Sequence, residues 1–308
     1  MILYRCAQLL ALATFILLLV GGLVHGTGSG LACPDWPLCF GSAFPEMKGH
    51  VLYEHSHRLV AGTVALLTVL LAVAIWRARR KDSQLVGLGV GAVALVVVQA
   101  LLGALTVWLK LPALVSTAHL AVSMLFFSLI LYLAARLHPN WDARRVPLGR
   151  RERNWLGWAL LATYGQILLG GLVRHTGSGL ACIDFPLCQG SLLPLGAHPS
   201  VILQAIHRLV AVLVAVMVVF GAVGLLRPSP RVTPGGTPRS LRALGVLLPI
   251  LVGVQVTLGA MSVLSFLELY RVTAHLGVAA LLLATLVTLW LRTRTAPMGG
   301  SEGGEVMR

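Results

Sequence analysis

Residues 21 to 41 read GGLVHGTGSGLACPDWPLCFG, and residues 170 to 190 read GGLVRHTGSGLACIDFPLCQG. One polar, cysteine-bearing loop is thus written twice, at an offset of 149, in an otherwise apolar chain. On either side stand apolar runs of roughly 20 residues, the length that crosses the hydrocarbon core of a bilayer. They lie at residues 7 to 24, 53 to 76, 84 to 108, 113 to 135, 154 to 173, 201 to 226, 243 to 264 and 269 to 291. The first run has the look of a cleaved signal peptide, but its counterpart before Gly170 is internal, so it reads as a retained helix. With 57% hydrophobic and 11% charged residues over 308 positions, the chain is expected to be an all-α integral membrane protein of eight transmembrane helices.

The repetition extends beyond the loop. HRLVA at His57 returns at His207 with an offset of 150, and TAHL around His119 returns around His275 with an offset of 156. Each copy holds four helices, an even number, so both enter the membrane from the same side and are expected to pack as two parallel-repeat four-helix bundles. The expected division is a first repeat over residues 1 to 138, a cytoplasmic linker over 139 to 153, a second repeat over 154 to 295 and a disordered cytoplasmic tail over 296 to 308. A second flexible cytoplasmic stretch, RPSPRVTPGGTPRS, begins at Arg227.

The net charge of +14 does not form a nucleic-acid patch. Eighteen of the 24 basic residues flank helices 2, 4 and 6 or the two ends of the chain, all on one side of the membrane. By the positive-inside rule that side is cytoplasmic, so both termini are inside and both cysteine loops are extracytoplasmic. Cys33 with Cys39, and Cys182 with Cys188, then form C-x5-C pairs where disulfides persist. Two readings stand for these pairs, a loop staple and a redox couple. A zinc site is disfavoured because each loop lacks convincing further ligands. Cys6 is left unpaired.

Four histidines, His57, His119, His207 and His275, fall inside apolar runs, where an ionisable group is costly and usually functional. His57 and His119 are expected about 8 to 10 Å below the outer surface, and His207 and His275 repeat that depth. Two imidazoles level with one another on neighbouring helices can hold both axial positions of a haem iron; helix-packing histidines are the plainer alternative. His25, His50, His138, His175 and His198 lie in loops or at helix ends, with His25 and His175 beside the repeated motif and its site mouth. Arg58, Arg208 and Arg174 are candidate propionate contacts, with Arg271 weaker, against the alternative of ordinary snorkelling. Gln99 and Gln255 match inside helices 3 and 7, where helix-to-helix hydrogen bonding is the plainer role. The copies differ at Glu54, whose counterpart is Gln204: only the first copy keeps a carboxylate, three residues before His57 on the same helix face.

These motifs, namely the duplicated TGSGLAC and PLC loops, EHSHRLVAG from Glu54, STAHL from Ser116, IHRLVA from Ile206 and VTAHL from Val272, resemble those of the haem A synthases. The resemblance runs from Gly21 to about His275. It implies a membrane oxidoreductase that oxidises a ring methyl of haem O through an alcohol to the formyl group of haem A, with water supplying oxygen, in the plasma (inner) membrane. It further implies that His57 and His119 face the haem O substrate, that His207 and His275 hold a haem b cofactor, and that Glu54 is catalytic, with Cys33 and Cys39 as further participants. The implied partners are the bilayer, the haem O synthase, cytochrome oxidase assembly factors and further copies of the chain, with no nucleic acid. The loops themselves differ, with His25 opposite Arg174, and Pro34 and Trp36 opposite Ile183 and Phe185, so the first carries the more demanding geometry. Two other classes compete with the enzyme: a two-haem b-type electron carrier, which leaves Glu54 unexplained, and a parallel-repeat transporter, which would place its polar residues at mid-membrane.

Overall fold

The computed structural model describes residues 1–226 and 239–295, and within them lie eight helices long and apolar enough to cross a membrane. They are α1 (Ile2–Gly26), α2 (Gly49–Arg79), α3 (Ser83–Trp108), α4 (Ala113–Arg136), α5 (Arg150–His175), α6 (Pro199–Leu226), α7 (Arg239–Leu264) and α8 (Leu269–Arg292). Every expected apolar run falls inside one of them. The stretch expected to be flexible after Arg227, as far as residue 238, and the tail after Thr295 lie outside the described residues.

In each half the four helices close into a ring of neighbours: α1 touches α2 and α4, with α3 between those two, and α5 touches α6 and α8, with α7 between. The halves meet through α1, α4, α5 and α8. Helix α8 is the most interior, with 50% of its apolar window buried against 17% for α3 and α7, and it contributes to both hydrophobic cores. Outward faces stay apolar, as at Leu9, Leu12 and Ile16 on α1 or Leu66, Leu70 and Val73 on α2, which is what a lipid solvent requires. Several hydroxyls inside the helices are satisfied locally: Thr14, Thr68 and Thr117 each donate to the carbonyl four residues back.

The turns repeat as well as the helices. Between α3 and α4, Lys110 and Leu111 both take positive φ, and Phe266 and Leu267 do the same between α7 and α8. The Leu111 N–H donates to Thr106 O at 2.7 Å and that of Leu267 to Ser262 O at 2.8 Å, closing both helix ends in the same way. This tight closure sets where α4 and α8 begin, and so the depth of His119 and His275. Asp82 caps α3 by accepting from the Leu85 N–H at 2.9 Å.

The segment joining the halves has structure of its own. Val146–Leu148 (β1) pairs in parallel with Thr293–Thr295 (β2), Val146 opposite Thr293, which ties the linker to the end of α8.

Candidate functional site

Helices α2 and α6 start earlier than their apolar runs, because each carries its cysteine loop as a cover. His57 lies eight residues past Gly49 and His207 eight past Pro199; His119 lies six past Ala113 and His275 six past Leu269. At 1.5 Å per residue that is roughly 12 Å and 9 Å below the four helix starts, the same in both halves.

The loops are pinned to their helices by the residues at positions 54 and 58, and 204 and 208. Cys33 bonds Cys39 and Cys182 bonds Cys188, leaving Cys6 free. In the first loop the Cys33 N–H donates to Glu54 Oε2 at 2.8 Å, and Arg58 Nη2 donates to Glu54 Oε1 at 2.5 Å. Arg58 also donates to the carbonyls of Asp35, Leu38 and Cys33. In the second loop the Cys182 N–H donates to Gln204 Oε1 at 2.8 Å, Gln204 Nε2 donates to Gly179 O, and Arg208 donates to the carbonyls of Asp184, Leu187 and Cys182. Arg58 and Arg208, expected at haem propionates, thus have their guanidinium forks on loop carbonyls. Glu54 and Gln204 are both buried and do the same latching, but only Glu54 does it with a charge.

Each loop also closes on an aspartate. Asp35 accepts from the Phe40 and Gly41 N–H groups, and Asp184 from those of Gln189 and Gly190. The Gly41 N–H holds the Asp35 carboxyl below its ordinary value, and the Gly190 N–H does the same for Asp184.

The four intramembrane histidines are half-buried and form two pairs: His57 and His119 lie within electrostatic range of one another, as do His207 and His275. Each ring rests on a glycine of the neighbouring helix. A Cβ built at Gly21 would meet His57 Cε1 at 3.2 Å, at Gly103 that of His119 at 3.3 Å, at Gly170 that of His207 at 3.0 Å, and at Gly259 that of His275 at 3.0 Å. These are cradles that any side chain would fill.

Glutamines orient three of the four rings. Gln99 Nε2 donates to His119 Nε2 at 3.0 Å, Gln166 Nε2 to His207 Nδ1 at 3.0 Å, and Gln255 O accepts from His275 Nδ1 at 3.1 Å. His57 is the exception in having no glutamine; its Nδ1, like that of His119, is buried without a partner among the described residues. The counterpart of Gln166, at the loop offset of 149, is Leu17.

Four imidazoles in two pairs, seated on glycine and emerging from apolar helices, fit a group that takes two axial nitrogen ligands and buries a flat apolar body. His25 and His175 stack at 4.8 Å between the halves, where His175 Nδ1 bonds Thr117 Oγ1 at 3.1 Å and Arg174 Nη2 donates to His25 O at 3.5 Å. Arg271 pairs instead with Glu268 at 2.7 Å.

Two residues that sequence reasoning passed over belong here. Gln166 is one. His55 is the other: its imidazole lies within 4.8 Å of the Cys33 and Cys39 sulfurs, and its Nε2 donates to Ala43 O at 2.9 Å. The signal for His55 was the first histidine of EHSHR, which becomes alanine in the second copy, QAIHR.

Residues 4–287 match the family model described as cytochrome oxidase assembly protein. The chain is similar to the heme A synthase of Geobacillus kaustophilus, 31% identical over 306 residues, covering 96% of this chain and 94% of that protein. It is also similar to the heme A synthase of Shouchella clausii, at 31% over 92% of this chain and 93% of that protein, and of Bacillus licheniformis, at 33% over 70% and 73%.

Proposed function

The chain belongs to the COX15-CtaA family of cytochrome oxidase assembly proteins, and on that premise we propose that it is a haem A synthase whose first half works on haem O and whose second half holds haem b. It is a multi-pass membrane protein. Neither the electron carrier nor the transporter is favoured by its relatives. In this reading both termini are cytoplasmic, both cysteine loops are extracytoplasmic, and the membrane is the plasma (inner) membrane.

The observation that carries the division of labour is that both departures from the repeat fall on one site. Around His57 the carboxylate of Glu54 replaces an amide and the ring lacks the glutamine that orients His207. A ligand whose second nitrogen is fixed by an outer partner suits a resident metal group, and a less constrained one suits a haem that must enter and leave. His57 and His119 therefore take haem O, and His207 and His275 take haem b. Haem b, when bound, supplies a one-electron redox centre.

Oxidation of the methyl to the alcohol consumes one water and releases two electrons and two protons; the further step to the aldehyde releases two more of each. In this reading Glu54 receives a proton or steadies positive charge developing at the reacting carbon. Both its oxygens are engaged, one by Cys33 and one by Arg58, so accepting a proton weakens its hold on the loop. Gln204 can make the latch and cannot act as a base, which is why the second copy binds without reacting.

The test is to express the chain in a host that makes haem O, extract the haems and identify them by chromatography with mass detection. Haem A or its alcohol precursor in wild type, and its absence in Glu54→Gln, is the expected result. Haem b alone in both, with haem O shown to be present, overturns the assignment in favour of an electron carrier.

A further inference from the structure

At the end of the molecule opposite the cysteine loops, a cavity of about 490 Å³ opens between α3, α4, α5 and α8 and the linker before β1. Its mouth carries three guanidinium groups, those of Arg136, Arg145 and Arg153. The Nε of each is buried without a partner among the described residues. Arg136 has one carboxylate, Asp82 at 3.4 Å; Arg145 and Arg153 pair with none among the described residues. Aromatic faces hold the cations in place: Arg153 lies 3.9 Å over the Trp290 ring and Arg145 5.3 Å over Trp141.

Three like charges gathered in a half-buried place repel one another and lose solvation, and the carboxylate of Asp82 offsets only one of them, so a bound anion would be stabilised there. Guanidinium forks are shaped for phosphate oxygens. The remaining wall shows what the phosphate is attached to. From Arg136 the cavity runs back along α4 past Leu129 to Leu125, eleven residues and roughly 16 Å, with Leu160 and Val287 facing in from α5 and α8. Leu125 is 48% exposed, on the side where lipid tails would lie. A free phosphate makes no use of such a wall, whereas an acyl chain does. Trp141, Trp290 and Tyr132 line the basic end, the aromatic residues typical of headgroup depth.

We propose that this cavity is a binding site for one anionic phospholipid, its phosphate held by Arg136, Arg145 and Arg153 and an acyl chain laid along α4. The headgroup would bridge the linker, α4 and α5, and so join the two halves on the face where β1 and β2 pair. This inference does not depend on the haem assignment.

The test is native mass spectrometry of the full chain in a non-ionic detergent, with phosphatidylglycerol or phosphatidylcholine of identical chains added in separate runs. Wild type is expected to retain one phosphatidylglycerol with a preference of about tenfold or more, and Arg145→Gln with Arg153→Gln to bring the two lipids to near equality. Helical circular dichroism and the haem absorption spectrum report whether the double variant is folded. A salt series on wild type needs no variant: the preference is expected to fall as ionic strength rises. Equal retention of both lipids, a preference unmoved by salt, or one that survives in the folded double variant overturns the proposal. So does displacement of the lipid by inorganic phosphate with a phosphate adduct left behind, which would make the ligand a free anion.

Discussion

The backbone N–H of Cys33 donates to Glu54 Oε2 at 2.8 Å, so the carboxylate proposed for catalysis is also the latch that holds the disulfide loop on α2. The second half separates the two roles, since Gln204 makes the same bond to Cys182 without a charge. Glu54→Gln is therefore expected to keep the fold and the haem b spectrum and to lose haem A formation. Arg58 tolerates that change, as Arg208 does beside Gln204 with loop carbonyls alone. Glu54→Ala also removes the acceptor of the buried Cys33 N–H, which Gln keeps, and is expected to destabilise by about 1 to 3 kcal/mol more than Gln. Thermal unfolding in detergent distinguishes the variants: equal melting temperatures for Gln and Ala would mean that the latch contributes nothing.

The glycine cradles predict effects that differ by half. Gly170→Ala and Gly259→Ala place a methyl 3.0 Å from the Cε1 of His207 and His275, and overpacking of that kind costs about 1 to 3 kcal/mol. Haem b per chain, measured from the bis-imidazole absorption, is expected to fall several-fold. Gly21→Ala and Gly103→Ala are expected to leave haem b in place and to reduce conversion of haem O. A uniform loss of haem b from all four variants would refute the assignment of the two sites.

The cysteine loops have a pH signature of known sign. Asp35 is held below its ordinary value of 3.8, chiefly by the Gly41 N–H. A depressed carboxylate contributes stability above its unfolded value and loses it as pH falls through the folded one. The first loop is thus expected to stay closed throughout pH 5 to 8, judged by protection of its peptides in hydrogen exchange, and to loosen only in stronger acid. Asp35→Ala is expected to show the loosened pattern already at neutral pH.

The eight spans were legible because lipid exposure demands long apolar runs, and the paired histidines because their depth below each helix start repeats. Glu54 was legible because Gln204 stands opposite it as a polar counterpart; what escaped has an apolar counterpart in the other copy or depends on a neighbouring helix. His55 and Gln166 have Ala205 and Leu17 as counterparts, so matching the halves passes over them. Gly21 reads as one more small residue in α1 until α2 places His57 against it. The pairing of β1 with β2 joins residues nearly 150 positions apart and involves Pro147, which carries no strand signal of its own. That the forks of Arg58 and Arg208 reach loop carbonyls depends on how the loop folds back over its helix, which position alone does not give.

Gln166 and Leu17 offer the sharpest test of the division between substrate and cofactor, because they are exchangeable. Gln166 donates both to His207 Nδ1 and to the His207 carbonyl, fixing ring and backbone at once, whereas His57 has no equivalent partner among the described residues. Outer partners of metal-ligating histidines typically carry about 10- to 100-fold in affinity. Gln166→Leu is expected to weaken haem b retention by that order, read as faster loss of the bis-imidazole spectrum to apomyoglobin. Leu17→Gln gives His57 the partner it lacks, so haem should be held more tightly in the first half. Product haem is then expected to accumulate on the protein while turnover falls. If Leu17→Gln raises turnover instead, the freedom of His57 limits catalysis and does not serve haem exchange, and the assignment of haem O to the first half loses its support.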